Sequence, residues 1–239
     1  MKSRILSWFS SSTKNRSPEA GHGGIGDLNC ESKQPAPAAI PGDGKSDDLQ
    51  ESFHKNGRLR ERQSYKDGKK NGPWALYYDN EQLRSRGNFI DGERNGPFEA
   101  FYSNGQLRSR GTHKDDQRDG PYESYHANGQ LESRGAFANG KKTGPWQKFH
   151  ANGQPAETGT YSDDQRVGLL ESFHENGQLQ VREHYHNGKR DGLYELYDEQ
   201  GRLKTRGNFR GGMLDGRYEL YDEDGRVTEA GTFKDGANH

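Results

Sequence analysis

Very little in this sequence supports a large hydrophobic core. Only 27% of its 239 residues are hydrophobic, whereas 30% are charged, and no stretch approaches the roughly 18 consecutive apolar residues of a membrane-spanning helix. The single cysteine, Cys30, excludes an internal disulfide. The net charge of −1 provides no long-range field to attract nucleic acid or an anionic membrane. Such a composition is typical of a disordered chain unless the few apolar residues follow a repeat.

The first 48 residues differ from the rest of the chain. They are rich in Ser, Gly, Pro and charge and have no apolar period, which predicts a flexible tail over 1–48 and a separate folded region over 49–239. The opening MKSRILSWFSSS has a basic start, but its apolar part falls short of the about 7–15 residues of a secretory signal. We therefore expect a cytoplasmic protein without a stable membrane anchor.

A strict 24-residue period follows this tail. Glycine recurs at that spacing without an insertion, at Gly72, Gly96, Gly120, Gly144, Gly168, Gly192 and Gly216. An aromatic residue occupies one column in eight units, at Phe53, Tyr77, Phe101, Tyr125, Phe149, Phe173, Tyr197 and Tyr221. Two further columns are mainly leucine (59 to 227) and mainly aromatic (65 to 233). Fixed periods of this length predict an array in which each unit packs on its neighbours.

Each unit has the pattern of a β-hairpin. Asn104-Gly105 is the dipeptide favoured in a type I′ turn, and extended, aromatic-rich segments flank it. A second turn, such as Asp91-Gly92, leads to the next unit, with longer variants expected at Asp115-Asp116 and Asp163-Asp164. The fold prediction is all-β: an elongated, single-layer antiparallel meander of about eight hairpins.

The predicted turn also determines which residues face each other. With Asn104-Gly105 as a two-residue loop, Tyr102 lies opposite Leu107. The same rule places Glu opposite Arg in five units, at Glu51–Arg62, Glu99–Arg110, Glu123–Arg134, Glu171–Arg182 and Glu195–Arg206. Exposed pairs of this kind contribute only about 0.2–1 kcal/mol each, so their expected effect is on register.

Alternation along the strands separates two faces. Phe98, Leu107 and Gly111 share the face that we expect to form the core, whereas Phe101 and Arg110 share the other, which we name the ladder face. Two interpretations of its ring column stay open: the rings cover neighbouring Arg side chains, or they form a strip that binds a partner. The candidate partner-binding residues are Phe53, Tyr77, Phe101, Tyr125, Phe149, Phe173, Tyr197, Tyr221, Glu99, Arg110, Glu123 and Arg134.

The unit GPWALYYDNEQLRSRGNFIDGERNG resembles the MORN repeat, in the variant found in bacterial proteins called YwqK-family antitoxins, over about 49–236. The resemblance implies a rod-like β array that binds another protein, a cognate toxin or secreted effector encoded by a neighbouring gene. Pro155, Leu169, Glu183 and Leu193 depart from the repeat. We expect a kink or altered pairing near 153–170.

No set of residues indicates catalysis, a cofactor or a metal site. His184 and His186 point to the same side of a strand but have no third ligand nearby in sequence. His126, His150 and His174 form a column, yet units spaced by about 10 Å hold them too far apart to share an ion. We interpret these as surface or edge histidines, and we expect that the protein is not an enzyme.

Three binding functions remain after this exclusion. The leading hypothesis is a non-enzymatic antitoxin or immunity protein that binds its cognate toxin or effector. A carbohydrate or cell-wall binding array is the alternative, since aromatic hairpins can stack on sugars. A membrane-surface scaffold, as in other MORN-type proteins, is disfavoured because the repeats are not basic, and no nucleic-acid partner is expected.

Overall fold

The computed structural model describes residues 48–238, which form one antiparallel sheet of 19 strands. The chain divides into two units, Met1–Asp43 and Gly44–His239, and this sheet belongs to the second. No helix occurs between residues 48 and 238, so none there could span a membrane. The predicted all-β meander is confirmed, whereas the predicted tail lies outside the described residues.

The strands follow one another along the chain. They are β1 (Asp48–Phe53), β2 (Leu59–Lys66), β3 (Lys69–Tyr77), β4 (Leu83–Ile90), β5 (Glu93–Arg94), β6 (Gly96–Phe101), β7 (Leu107–Lys114), β8 (Gln117–Tyr125), β9 (Leu131–Ala138), β10 (Lys141–Phe149), β11 (Pro155–Ser162), β12 (Gln165–Phe173), β13 (Leu179–His186), β14 (Lys189–Tyr197), β15 (Leu203–Arg210), β16 (Met213–Leu214), β17 (Gly216–Tyr221), β18 (Val227–Lys234) and β19 (Ala237–Asn238).

Strand pairing confirms the predicted register at the charged positions. All five predicted Glu–Arg partners lie directly opposite each other. The register also continues through the irregular unit, where Pro155 lies opposite Phe149 just as Leu107 lies opposite Phe101. The expectation of altered pairing near 153–170 was therefore wrong, because proline at the first position of a strand removes no essential donor.

The Asn-Gly turn is not the predicted type I′ turn. The carbonyl of Tyr102 accepts a hydrogen bond from the Gly105 amide at 2.9 Å, and only Gly105, at φ 86°, has left-handed geometry. This is a type I turn followed by a glycine bulge. The Asn104 Oδ1 atom stabilises it by accepting the Gln106 amide hydrogen bond at 3.1 Å. The bulge brings Leu107 opposite Phe101 instead of Tyr102.

The turns between units are the type I′ turns. Both central residues have positive φ, as in Asp91 and Gly92 (51° and 97°). Asp115 and Asp116 have the same geometry (49° and 62°), so this loop is not the predicted longer variant. Aspartate tolerates left-handed φ better than most residues, and the Asp116 carboxylate is also held by Arg94 at 2.8 Å.

The core lies on the predicted face of the sheet. The buried hydrophobic residues are Ala100, Phe137, Trp146, Tyr161, Leu170, Val181, Tyr194, Phe209, Leu214, Tyr218 and Phe233. Rings of adjacent strands pack edge to face, as for Phe137 and Trp146, whose centroids are 5.2 Å apart. The leucine column contributes less than expected, since Leu107 is half-buried and Pro155 and Val227 are exposed.

Rings on the core face lie over glycine in the facing strand. A Cβ atom on Gly87 would be 2.9 Å from Nε1 of Trp74, so no side chain fits there. The two units that replace this glycine, with Gln63 and Glu183, also lack the facing ring. They have Gln50 and Leu170 opposite instead. The size of one residue therefore compensates for the size of its partner across the hairpin.

Candidate functional site

The ladder face has a row of Glu and Arg side chains, which is interrupted at Ala75, at Gln147 and Thr158, and at Ala230. Arg110 contacts Glu123 at 2.7 Å, and Arg86 contacts Glu99 at 2.6 Å. Although Glu99 lies opposite Arg110 within one hairpin, these ion pairs join neighbouring hairpins. The row therefore connects successive units as well as defining register, which the sequence did not indicate.

Tyrosines of the ring column belong to the same polar network. The hydroxyl of Tyr125 donates to Glu123 at 2.7 Å, and that of Tyr197 donates to Glu195 at 2.8 Å. The Tyr125 hydrogen bond, followed by that from Arg110, lowers the pKa of Glu123 below its usual value. Burial and the Glu123 carboxylate raise the pKa of Tyr125. The Glu123 carboxylate therefore favours its charged form, and both carboxylates already have hydrogen-bond partners within the protein.

The candidate rings share the ladder face but differ in exposure. Phe53, on the first strand, is 56% exposed, whereas the other seven rings of the column are half-buried. The Arg134 guanidinium lies 5.8 Å from the centroid of the Phe149 ring, which is a packing contact between neighbouring strands. The Phe149 ring is only half-buried, so this one contact does not decide between packing and binding.

The histidine column has a structural role that the sequence prediction missed. His126 Nε2 donates to the carbonyl of Phe149 at 2.9 Å, and the Tyr102 hydroxyl donates to the carbonyl of Tyr125 at 2.7 Å. Both side chains are half-buried. The same contact recurs at His54, Tyr78, His150 and His174. These residues are inter-unit links and not the surface histidines that we expected; their shared 24-residue spacing was the available signal.

Cations cover the rings of the core face. Arg118 lies 4.8 Å from the Tyr122 ring centroid, and Lys142 lies 4.4 Å from the Trp146 ring. Burial lowers the pKa of Lys142, and the nearby charge of Lys148 adds to this effect. Cation–ring contacts of this kind bury hydrocarbon side chains over aromatic surface while keeping each charged group near solvent.

One stretch of the core face is polar instead of aromatic. Glu183 is only 2% exposed and accepts hydrogen bonds from Arg190 at 2.7 Å and from the Tyr185 hydroxyl at 2.9 Å. Arg166 in turn donates to the Tyr185 hydroxyl at 3.1 Å and to Glu157 at 3.1 Å. This chain of charged and hydroxyl groups occupies the position where other units have a ring over glycine. Only Glu183 was noticed in the sequence, as a departure from the repeat.

A groove of about 520 Å³ lies beside this polar stretch. It is lined by Tyr161, Asp164, Gln165, Arg166, Tyr185, Asn187, Gly188 and Lys189. Burial acts against the charge of Arg166, but the hydrogen bond with Tyr161 and the charge of Glu157 outweigh it and raise the pKa of that guanidinium. The groove thus contains a permanent positive charge held by several hydrogen bonds.

Comparisons with known proteins identify the repeat type. The family described as MORN repeat variant matches six segments, 70–91, 94–115, 118–139, 142–163, 166–187 and 214–235. A comparison with curated proteins returned no match. Solved structures titled "Crystal Structure of TcdB2-TccC3" and "Crystal Structure of TcdB2-TccC3-Cdc42" are each 12% identical over 78% and 79% of this chain.

Those structural matches carry little weight. Their TM-scores are 0.17 and 0.18, and this chain spans 14% of the length of each matched chain. The hairpin of β1 and β2 and the one of β14 and β15 lie outside the matched segments but keep the same register. The matched segments cover more than half of the sequence. The chain belongs to the MORN repeat variant family.

Proposed function

We propose that the array is a non-enzymatic binding surface for another protein, a cognate toxin or secreted effector that it neutralises in the cytoplasm. MORN repeats indicate a binding role based on the repeats. The resemblance to YwqK-family antitoxins supports the narrower role, together with a repeat architecture that presents the same residues at regular intervals.

The observation that carries this proposal is the ring column of the ladder face. Each of the eight hairpins places one Phe or Tyr at the same register position, beside the Glu–Arg row. Aromatic residues and arginine dominate the binding energy of protein interfaces, where they are surrounded by polar groups. The ladder face presents a ring in all eight units and an opposed Glu–Arg pair in five of them.

The polar groups of this face favour a protein over a carbohydrate. Sugar hydroxyl groups need side chains with unused hydrogen-bonding capacity beside the ring. Here Glu195 accepts hydrogen bonds at both carboxylate oxygens, from Arg206 at Oε1 and from Tyr197 at Oε2. A protein partner needs only the ring surface and a charge pattern complementary to the row.

The test is co-expression with the protein encoded by the neighbouring gene. We expect the two proteins to co-purify and the array to protect cells that express the partner. In calorimetry, Phe101→Ala and Phe149→Ala should each weaken binding by about tenfold or more, since interface hot spots contribute about 1–2 kcal/mol or more.

Val227→Ala provides the matched control, because Val227 is an exposed apolar residue of the leucine column and lies outside the ladder face. It should leave the affinity unchanged. Absence of both co-purification and protection would contradict the proposal. Retention of the array on a glycan resin, with loss of retention in Phe101→Ala, would favour the carbohydrate alternative.

A further inference from the structure

Departures from the repeat converge on the core face between β10 and β14. Leu170 replaces a ring, Glu183 replaces a glycine, and the pair Lys148–Glu157, at 2.9 Å, replaces small residues such as Ala100 and Ser109. A continuous ring stack would need none of these charges. Positions that break the local rules of a fold are expected where a function imposes its own demands.

Arg166 is the residue of this region that is both fixed and accessible. Its Nε, Nη1 and Nη2 atoms donate to Tyr161, Tyr185 and Glu157. Among the described residues these bonds leave one N–H on each Nη atom without a partner. The side chain is 32% exposed and lines the groove. A pair of N–H groups in a planar guanidinium matches the two oxygens of a carboxylate.

The charges around the groove are compatible with an acidic ligand. Lys189 on its wall adds a second positive charge. The one carboxylate on the wall, Asp164, accepts the backbone amide of Lys142 at 2.8 Å. The Glu157 carboxylate is bound by both Lys148 and Arg166. The lining therefore presents two cations against one acid.

We propose that this groove binds a carboxylate side chain of the partner protein, with Arg166 as its direct ligand. That the carboxylate belongs to a partner protein rests on the proposed function. That the groove binds a carboxylate does not. Tyr185 is a positioning residue, since its hydroxyl donates to the buried Glu183 and accepts from Arg166. A guanidinium already held in place loses little side-chain entropy on binding.

Equivalent cations in other units lack this arrangement. Arg118 lies over the Tyr122 and Phe137 rings, at 4.8 and 5.3 Å from their centroids. Arg94 is bound by Asp116 at 2.8 Å, and Arg190 by the buried Glu183 at 2.7 Å. Arg118→Gln is therefore the matched control for Arg166→Gln.

The first experiment needs no partner. An acetylated, amidated tetraglutamate peptide is titrated into the full-length protein while the arginine Nε–H signals are followed by NMR, with Arg166→Gln assigning its signal. We expect a saturable shift of that signal that persists in Arg118→Gln and is absent with tetraglutamine. Equal responses to both peptides, no shift of the Arg166 signal, or saturation by inorganic phosphate alone at equal ionic strength would overturn the assignment.

Tyr185→Phe tests the positioning role. We expect the tetraglutamate affinity to fall severalfold and the ligand-free Arg166 Nε–H signal to move. The urea midpoint should fall as well, because the buried Glu183 loses a hydrogen bond. An unchanged signal and affinity would overturn that role.

The second experiment uses the partner of the proposed function. Arg166→Gln should weaken its binding about tenfold, whereas Arg118→Gln should not. If a partner binds and both variants bind equally well, the groove proposal fails while the proposed function stands. If no protein partner binds but tetraglutamate does, the proposed function fails and the carboxylate chemistry of the groove stands.

Discussion

The hairpins before residue 98 and those between 189 and 221 share one register but differ in burial. Within 48–98 Gln63 is the buried side chain, and Trp74 is only half-buried. In the later hairpins Tyr194 is 1% exposed, Tyr218 3% and Thr205 0%. The same repeat thus provides a loosely covered ring at one place and a fully covered ring at another.

This difference teaches that register and burial have separate causes. The turns determine register within each hairpin, because the hairpin with Gln147 opposite Thr158 keeps the register without a Glu–Arg pair. Burial depends on the adjacent units, because each repeat contacts only its neighbours. Both rings have an aromatic partner in their own hairpin, Phe89 at 6.2 Å from Trp74 and Phe209 at 5.8 Å from Tyr194. At the ring position of the preceding hairpin, however, Trp74 follows the exposed Gln50, whereas Tyr194 follows the buried Leu170.

Truncating one covered and one loosely covered tryptophan should test this comparison most directly. Trp146→Ala removes a ring that is 4% exposed and packs against Phe137 and Tyr161, and we expect a loss of about 4 kcal/mol. Trp74→Ala should cost about 2 kcal/mol, because its ring is already partly hydrated. Urea unfolding of both variants measures the difference, and equal losses would contradict the burial argument.

The next largest effect on stability is expected at Leu170 and Glu183, where the ring and glycine of the repeat can be restored. Glu183→Gly removes the buried carboxylate that binds Arg190 and should cost about 3 kcal/mol. Adding Leu170→Tyr recreates a ring over glycine, as in Tyr194 and Gly207, and should recover most of that loss. Leu170→Tyr alone should destabilise, because the ring would meet Glu183. If the double variant is no more stable than Glu183→Gly in urea, ring and glycine do not compensate each other.

A Cβ atom added at two equivalent glycines should change the free energy of unfolding by different amounts. At Gly135 it would overlap the Trp146 indole, so Gly135→Ala should lose about 2 kcal/mol. At Gly159 the nearest atom is Leu170 Cδ1 at 3.3 Å, and neither glycine has positive φ. Gly159→Ala should therefore change the free energy of unfolding by less than about 1 kcal/mol. Similar urea midpoints for the two variants would show that the core face is more deformable than the contacts indicate.

The Glu–Arg row should contribute least. The folded-state pKa of Glu123 is lowered, so its contribution is complete above the unfolded-state pKa of about 4.3 and is lost as pH falls through the folded-state value. Glu123→Gln should cost a few tenths of a kcal/mol at pH 7 and nothing in strong acid, since the pair is partly exposed. Thermal unfolding from pH 7 to pH 3 measures this, with Glu175→Gln, at an exposed turn, as control. If Glu123→Gln is still less stable than the unchanged protein at pH 3, the cause is not electrostatic.

Much of the fold could be predicted because it repeats. Eight aligned units show which residues share a column, and the opposed charges of Glu99 and Arg110 identify the register without coordinates. The turn at Asn104-Gly105 was assigned incorrectly, because Asn-Gly suits both a type I′ turn and a type I turn with a bulge. The side-chain bond from Asn104 to the Gln106 amide accompanies the second form, and composition does not show it.

The groove could be predicted least. Its residues come from the end of β11, the start of β12, the end of β13, the start of β14 and the turns that follow β11 and β13. In the sequence, Arg166 is one member of a column that also contains Arg118 and Arg190. Only the three-dimensional arrangement shows that Arg166 is held by Tyr161, Tyr185 and Glu157 beside an open groove. The sign of the groove in the sequence was limited to Glu183, which occupies the position of the glycine in other units.

The amino-acid sequence by itself determined the period, the hairpins, the register of the charged row and the face that carries the rings, because each depends on contacts within one unit or between adjacent strands. Tertiary structure alone decided which rings are covered, which tyrosines and histidines link units, and which arginine lies beside a groove. Those outcomes depend on contacts between side chains and strands at very different separations in sequence, from 5 residues for Arg166 and Tyr161 to 23 residues for His126 and Phe149.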